Sequence, residues 1–224
     1  MKENILSNVP IFSELSRNEL LRIKSIGSVR RFSKQEIIFD EDTCGGKFYI
    51  VLAGSVKIFT SSGAKKKTLA YLEKGEFFGE MALLDAEPRS ASSEAMEDSE
   101  LFVIKKNDFK QLLVRQPNIS FHILKTLSSR LRTADKEIEG LTFGNVIGRI
   151  AATLCDLAAR YGENVAGGCR IKMTLSHKDI AELAGTGREM VSRVLNRFKR
   201  LNCISYANRH VIITDEQKLR QWIR

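Results

Sequence analysis

The sequence predicts an α+β protein in which an antiparallel β domain comes first, a long helix follows, and a small helical domain comes last. Residues 29–104 consist of short apolar runs that are broken by glycines, which is typical of antiparallel strands. Residues 109–143 repeat apolar residues at helical spacing, and the residues after Ser176 form two short helical patterns joined by glycines. These changes of pattern place the expected domains at 1–108, 109–143 and 144–224.

Composition limits the class of protein further. The chain has 224 residues, 43% apolar and 28% charged, so it is long enough to bury one or two cores. The longest apolar runs, such as residues 48–53, are far shorter than the ~20 residues of a membrane-spanning helix, and residues 1–10 lack a signal-peptide pattern. We therefore expect a cytoplasmic protein without a membrane span.

The sequence offers little for catalysis or for metal binding. Its four cysteines, Cys44, Cys155, Cys169 and Cys203, form no CxxC pair and no short spacing with histidine. A nucleophile with a neighbouring base and a phosphate-binding Walker loop are also missing. We predict that the protein is not an enzyme and holds no metal.

A helix is expected before the β domain. Residues 12–26 carry a helical pattern, with Ser16 as the N-cap and Glu19 placed three residues later to complete a capping box.

The middle of the chain predicts a dimerisation helix. Apolar residues follow each other at alternating spacings of 3 and 4, which is an a/d seam over more than two heptads. They are Leu124, Leu127, Leu131, Ala134, Ile138 and Leu141. Such a narrow stripe favours pairing with a second copy of the chain, and the alternative is packing on the chain's own β domain. Gly140 and Gly144 then predict a hinge.

Positive charge is concentrated in the last third of the chain. Residues 144–224 carry 14 Lys and Arg against 7 Asp and Glu, a net charge of +7, whereas residues 1–143 carry a net charge of +2. This favours an anionic partner for the C-terminal domain, such as nucleic acid.

The C-terminal domain has the pattern of a winged helix-turn-helix. Ser176 is a suitable cap for a first short helix, Gly185 and Gly187 break the chain, and a second helix follows. The outer face of this second helix carries Arg188, Glu189, Ser192 and Arg193, whose side chains suit base reading in a major groove. Ser192 could meet either a base or a phosphate. A predicted hairpin around residues 207–210 forms the wing, and Lys199 and Arg209 are expected to contact phosphates.

A second concentrated motif lies in the β domain. Gly79 lets backbone N–H groups approach an anion, Arg89 and Ser90 suit a phosphate, and Glu80 can accept from a sugar hydroxyl. The set predicts a site for a phosphate and a ribose held together.

Three motifs carry a resemblance to a known family. FGEMALLDAEPRSA (78–91) resembles the phosphate-binding cassette of cyclic-nucleotide-binding domains, and RExxSR (188–193) resembles the recognition helix of CRP/FNR transcription regulators. GRIAATLCDLAARYG (148–162) is similar to the segment that joins the two domains in that family. The resemblance implies a β-roll sensor domain, a long dimerisation helix and a winged helix-turn-helix.

The resemblance also implies site residues. The cyclic nucleotide would lie against Gly79, Glu80, Met81, Arg89, Ser90, Ala91, Arg130, Ala134 and Asp135. The last two stand where cyclic-AMP receptors carry a purine-contacting Thr-Ser pair. The resemblance implies cyclic AMP as the effector. Because Ala134 offers no hydrogen bond and Asp135 could accept from adenine or guanine, cyclic GMP and a cyclic dinucleotide are the alternatives.

These inferences predict a cyclic-nucleotide-responsive transcription regulator that binds a TGTGA-like palindrome as a homodimer. The resemblance implies double-stranded DNA, a second copy of the chain and RNA polymerase as partners. The alternative function is a DNA-binding regulator that needs no ligand and whose sensor domain has degenerated, as the Ala134-Asp135 departure would allow.

Overall fold

The computed structural model describes residues 6–7, 9–207 and 210–223. The chain divides into two compact units, Met1–Ser129 and Arg130–Arg224. The first is built around β-sheets and the second around helices, so the predicted α+β class is confirmed. Within the described part of the chain, no helix is both long and apolar enough to cross a membrane.

The first unit opens with a 3₁₀ turn, Pro10–Phe12, and helix α1, Arg17–Ile26. The predicted capping box is confirmed. The Glu19 backbone N–H donates to Ser16 Oγ at 3.4 Å, and the Ser16 N–H donates to Glu19 Oε2 at 2.8 Å. Hydrogen bonds from Ser16 lower the pKa of the Glu19 carboxyl group, because they favour its charged form.

Among the described residues of this unit, eight strands form two four-stranded antiparallel sheets. The first sheet has the order β1-β8-β3-β6 and the second the order β2-β7-β4-β5. The strands are β1 Gly27–Phe32, β2 Ile37–Phe39, β3 Lys47–Ala53, β4 Val56–Ser62, β5 Lys65–Leu72, β6 Phe77–Phe78, β7 Ser92–Ala95 and β8 Ser99–Lys105.

Strand β3 contributes to two hydrophobic cores, because successive side chains of a strand point to opposite faces of the sheet. Phe48, Ile50 and Leu52 pack into a core with the N-terminal segment and the following helices. Tyr49 and Val51 pack into the other core, against residues from both sheets. A strand that is buried on both faces explains why this run reads as continuously apolar.

Three helices follow or interrupt the strands: α2 Met81–Leu84, α3 Lys106–Arg115 and α4 Pro117–Phe143. The predicted long helix is confirmed as α4, but it begins at Pro117, and residues 106–115 form the separate helix α3. The break lies at Gln116, with φ −130° and ψ 80°, immediately before Pro117. Proline disfavours the helical conformation of the residue before it and suits the first position of a helix, so it ends α3 and starts α4.

The apolar stripe of α4 has two environments. Leu127 is half-buried and packs against the first core of its own unit. The other leucine and isoleucine positions of the stripe are exposed in the single chain: Leu124 at 60%, Leu131 at 63%, Ile138 at 61% and Leu141 at 54%.

In the described part of the second unit, α5, Val146–Tyr161, packs against three further helices and a sheet. The elements after α5 are β9 Gly162–Val165, β10 Gly168–Ile171, α6 His177–Ala184, α7 Arg188–Arg200, β11 Ile204–Ala207, β12 His210–Ile213 and α8 Glu216–Arg220. The expected wing hairpin is the β11–β12 pair, and β10 extends it into a sheet of order β11-β12-β10-β9.

The two helices of the helix-turn-helix have clear local causes. Ser176 caps α6, and Asp179 completes a capping box by accepting from the Ser176 N–H at 2.8 Å. Gly185 ends α6 with φ 61°, a left-handed conformation that suits glycine. Helix α7 buries one face, which consists of Val191, Val194, Leu195 and Phe198, and leaves the opposite face to solvent.

Candidate effector site and DNA interface

The cassette of residues 79–91 starts at a glycine that the backbone requires. Gly79 follows β6 with φ +78°. A Cβ atom at this position would lie 2.7 Å from Arg89 Nη1 and 3.1 Å from the Lys47 carbonyl oxygen. Any other residue would therefore strain the backbone and displace Arg89.

Arg89 is the central side chain of the cassette, and it is only 4% exposed. Its Nη1 donates to the Gly79 carbonyl at 2.6 Å, and its Nη2 donates to the Lys47 carbonyl at 2.7 Å. The guanidinium carbon lies 4.1 Å from the ring centroid of Phe39. These contacts fix the position and orientation of the guanidinium.

The backbone of Arg89 is fixed as well. Its N–H donates to the Thr43 carbonyl at 2.9 Å, and its carbonyl accepts from the Asp42 N–H at 2.9 Å.

The electrostatics of Arg89 suit an anion. Burial lowers the pKa of the guanidinium, while the nearby Tyr49 and the 1%-exposed Glu80 raise it. Arginine stays charged under these conditions. Within the described structure, its buried Nε makes no hydrogen bond. A fixed, buried cation with a donor left over fits a phosphate group.

The remaining cassette residues lie beside this core. Ser90 is exposed, and its hydroxyl donates to the Met81 sulfur at 3.6 Å. Met81 is half exposed and begins the short α2, while Ala91 is buried at the end of the cassette. The structure thus brings together Gly79, Glu80, Met81, Arg89 and Ser90.

The other three predicted effector residues lie on α4, in the part that belongs to the second unit. Arg130 is half-buried, whereas Ala134 and Asp135 are exposed. Arg130 and Ala134 are one helical turn apart and so share a face of α4.

The predicted base-reading residues lie together at the start of α7. Arg188, Glu189 and Arg193 are exposed, and Ser192 is half-buried. Lys199 is exposed in the last turn of the same helix. Arg209, the other predicted phosphate contact, lies outside the described residues.

Sequence reasoning missed three contacts that position these residues. His177 Nδ1 lies 2.7 Å from Ser192 Oγ, which links α6 to α7. Arg149 of α5 donates to the Ala184 carbonyl at 3.1 Å and so caps the end of α6. Arg197 on α7 lies 4.4 Å from the ring centroid of Trp222. These partners are distant in sequence, so no local motif predicted the contacts.

Comparisons with known proteins agree with this geometry. Residues 29–116 match the model of the cyclic nucleotide-binding domain, and residues 148–222 match that of the Crp-like helix-turn-helix domain. The chain is 37% identical over 188 residues to the cyclic AMP receptor protein of Thermus thermophilus, and the match covers 84% of each chain. The chain belongs to the CRP/FNR family of transcription regulators.

Solved structures of CRP/FNR regulators share the fold. A CooA variant from Carboxydothermus hydrogenoformans superposes with a TM-score of 0.82 and 26% identity, covering 100% of this chain and 97% of CooA. The c-di-GMP-responsive regulator CLP of Xanthomonas campestris gives a TM-score of 0.76 and 26% identity, covering 88% and 99%. The names of the Thermus receptor and of CLP thus give two different effectors, cyclic AMP and c-di-GMP, for two relatives.

This CRP/FNR chain therefore has a cyclic-nucleotide-binding domain and a DNA-binding helix-turn-helix domain. In the described part of the chain, no cluster of three or more His, Cys, Asp or Glu could hold a metal ion.

Proposed function

We propose that a cyclic nucleotide binds this protein at the cassette and so controls the binding of a homodimer to a palindromic DNA site. The buried, fixed guanidinium of Arg89 carries this proposal, because a cation with an unused N–H donor is suited to the cyclic phosphate. The Gly79 backbone and the Ser90 hydroxyl would hold the same phosphate, and Glu80 would accept from the ribose 2′-hydroxyl.

A nucleotide can control DNA binding only if it binds the DNA-competent state of the protein more tightly than the other state. A nucleotide that binds the DNA-competent state ~100-fold more tightly than the other state supplies ~2.7 kcal/mol of coupling. Arg130, Ala134 and Asp135 would contribute to this coupling by contacting the nucleotide from α4. Asp135 can accept from the amino groups of adenine or guanine, so we propose a purine effector, with cyclic AMP first and cyclic GMP or a cyclic dinucleotide next.

Calorimetric titration of the protein with each of these nucleotides tests the site. We expect one nucleotide to bind and to raise the unfolding midpoint, because it binds the folded state. Failure of all three to bind would favour the alternative, a DNA-binding regulator that needs no ligand. The exposed Ala134 and Asp135, in place of a Thr-Ser pair, are the observation that favours this alternative.

The proposed DNA site is a two-fold palindrome with TGTGA-like half-sites. The exposed Arg188, Glu189 and Arg193 support this assignment, because arginine pairs with guanine and glutamate accepts from cytosine. Two copies of α7 must face one side of the duplex, so half-site centres would lie ~10–10.5 bp apart. Lys199 and Arg209 would contact phosphates.

Selection from randomised DNA tests this proposal. We expect a palindrome, and we expect Arg193→Ala to relax the preference at one guanine per half-site. Lys199→Ala should instead weaken all sequences equally and reduce the salt dependence. A non-palindromic motif would contradict the proposed dimer. The function would place the protein in the cytoplasm with its DNA, and RNA polymerase would be its further partner.

A further inference from the structure

The hydroxyl of Ser192 is engaged on two sides within the protein. Its Oγ lies 3.1 Å from the Arg188 carbonyl oxygen, one helical turn earlier on α7. It also lies 2.7 Å from Nδ1 of His177, the first residue of α6. Ser192 is half-buried, so the residue keeps part of its surface exposed to solvent.

Counting protons limits what this hydroxyl can do. Serine has one O–H proton and two lone pairs, and a backbone carbonyl can only accept. If His177 carries its proton on Nδ1, it donates to Ser192, and Ser192 donates to the Arg188 carbonyl. If Nδ1 is unprotonated, Ser192 donates to it. In both arrangements the single proton of Ser192 stays inside the protein, and at least one lone pair remains.

We propose that Ser192 contacts DNA only as a hydrogen-bond acceptor and therefore reads an exocyclic amino group, adenine N6 or cytosine N4. The inference rests on the proposed contact between α7 and the major groove. Guanine O6 and N7, thymine O4 and phosphate oxygens are all acceptors, so Ser192 cannot bond to them. The sequence alone had left Ser192 free to meet either a base or a phosphate.

His177 is a positioning residue in this arrangement. It acts through Ser192 and holds the hydroxyl in one orientation, so that the remaining lone pair points the same way in every bound state. The exposed Arg188 and Arg193 are donors only, so they complement Ser192 within the first two turns of α7.

Base analogues test the inference. Binding is measured by fluorescence anisotropy on duplexes of the selected site in which one group is removed at a time. Purine replaces adenine, 2-pyrimidinone replaces cytosine, 7-deazaguanine replaces guanine, and methylphosphonates replace single phosphates. We expect one position per half-site at which loss of the amino group weakens the wild-type protein about tenfold and leaves Ser192→Ala unaffected.

The same duplexes define the contrary outcome. The inference is overturned if the wild type loses affinity, and Ser192→Ala does not, on a duplex with 7-deazaguanine or a methylphosphonate. It is also overturned if the two proteins lose the same affinity on every modified duplex. If the wild-type protein shows no preference for any DNA sequence, the proposed function itself fails. If it selects a site but Ser192→Ala changes no base preference, only the inference about Ser192 fails.

Matched variants of His177 test its part. His177→Asn places an amide near the position of Nδ1, whereas His177→Gln places it near Nε2 and His177→Ala removes it. We expect Asn to keep the wild-type ratio of affinities for the intact and amino-deleted duplexes, and Gln and Ala to lower that ratio several-fold. In a Ser192→Ala background, none of the three should change it. An unchanged ratio in His177→Ala would refute the positioning role, whatever its effect on stability.

Discussion

At the scale of single residues, Arg89 is the side chain on which the proposed effector site depends most. A buried charge is costly unless other groups compensate it. Two backbone carbonyls and the Phe39 ring hold this guanidinium, and the charge of Glu80 acts on it as well. Gly79, Glu80 and Arg89 belong to one local motif that the sequence shows, but Phe39 on β2 and Lys47 on β3 are distant from it in sequence.

Arg89→Ala should abolish nucleotide binding and should also destabilise the fold. The Gly79 and Lys47 carbonyls lose their donors, so we expect the free energy of unfolding to fall by about 1–3 kcal/mol. Arg89→Lys should keep the charge and lose most affinity, because lysine lacks the two-pronged donor. Arg31→Ala, at an exposed arginine of β1, is the control and should change neither quantity. Calorimetry and denaturant unfolding check this, and unchanged affinity in Arg89→Ala would refute the assigned site.

Cys155 gives the protein a pH-dependent stability. Burial raises the pKa of its thiol from 9.0 to about 11, because the charged thiolate is poorly solvated inside α5. The thiol contributes stability below pH 9, and this contribution is lost as the pH rises from 9 to about 11. Urea unfolding at pH 8 and pH 10.5 should therefore show a larger loss for the wild type than for Cys155→Ala. The exposed Cys44, changed to alanine, should behave like the wild type.

At the scale of elements, sequence patterns predicted most boundaries whose causes are local. The capping boxes of α1 and α6 involve residues three apart, and the glycine that ends α6 lies within the turn itself. The helix break before Pro117 is also local. It follows from the rule that the residue before a proline disfavours the helical conformation, which here outweighs the helical pattern of the apolar residues. The β9–β10 hairpin was missed, although Gly167 in its turn and Gly168 at the start of β10 both have positive φ.

The turn between α6 and α7 offers a matched pair of glycines. Gly185 has φ +61°, so Gly185→Ala should cost about 1 kcal/mol of stability by placing a Cβ in the left-handed region. Gly187 has φ −89° and ψ 148° and is the N-cap of α7 without a side-chain hydrogen bond, so Gly187→Ser should stabilise by a few tenths of a kcal/mol. The denaturant midpoint should fall for Gly185→Ala and rise for Gly187→Ser. A shift of the same sign and size in both variants would contradict the assigned turn.

At the scale of the whole molecule, long-range contacts set the limit of sequence reasoning. The two motifs and the +7 net charge of residues 144–224 predicted the two kinds of site. The His177–Ser192 contact depends on how α6 packs against α7, and no spacing within either helix encodes it. The sequence also could not predict that Leu127 packs against a core, because it has the same spacing as the exposed leucine and isoleucine residues of α4.

The exposed stripe of α4 predicts how two copies associate. Leu131 and Ile138 lie one heptad apart and are each more than 60% exposed, so two chains can bury them against each other. Replacing both with glutamate should give monomers, because paired burial of the new charges is strongly unfavourable. Leu127 is a poor site for this test, since a charge there would disturb the core of its own unit.

Sedimentation of the Leu131→Glu/Ile138→Glu protein, with and without nucleotide, measures the outcome. Val114→Glu is the matched control, because this side chain on α3 is 82% exposed and lies outside the stripe. We expect the control to sediment as a dimer and the double variant as a monomer. The monomer should bind a single half-site far more weakly than the dimer binds the palindrome, because it lacks the second, linked DNA-binding domain. If that monomer binds nucleotide, the cassette and α4 of one chain are sufficient for nucleotide binding. If the double variant still sediments as a dimer, the interface lies on another surface.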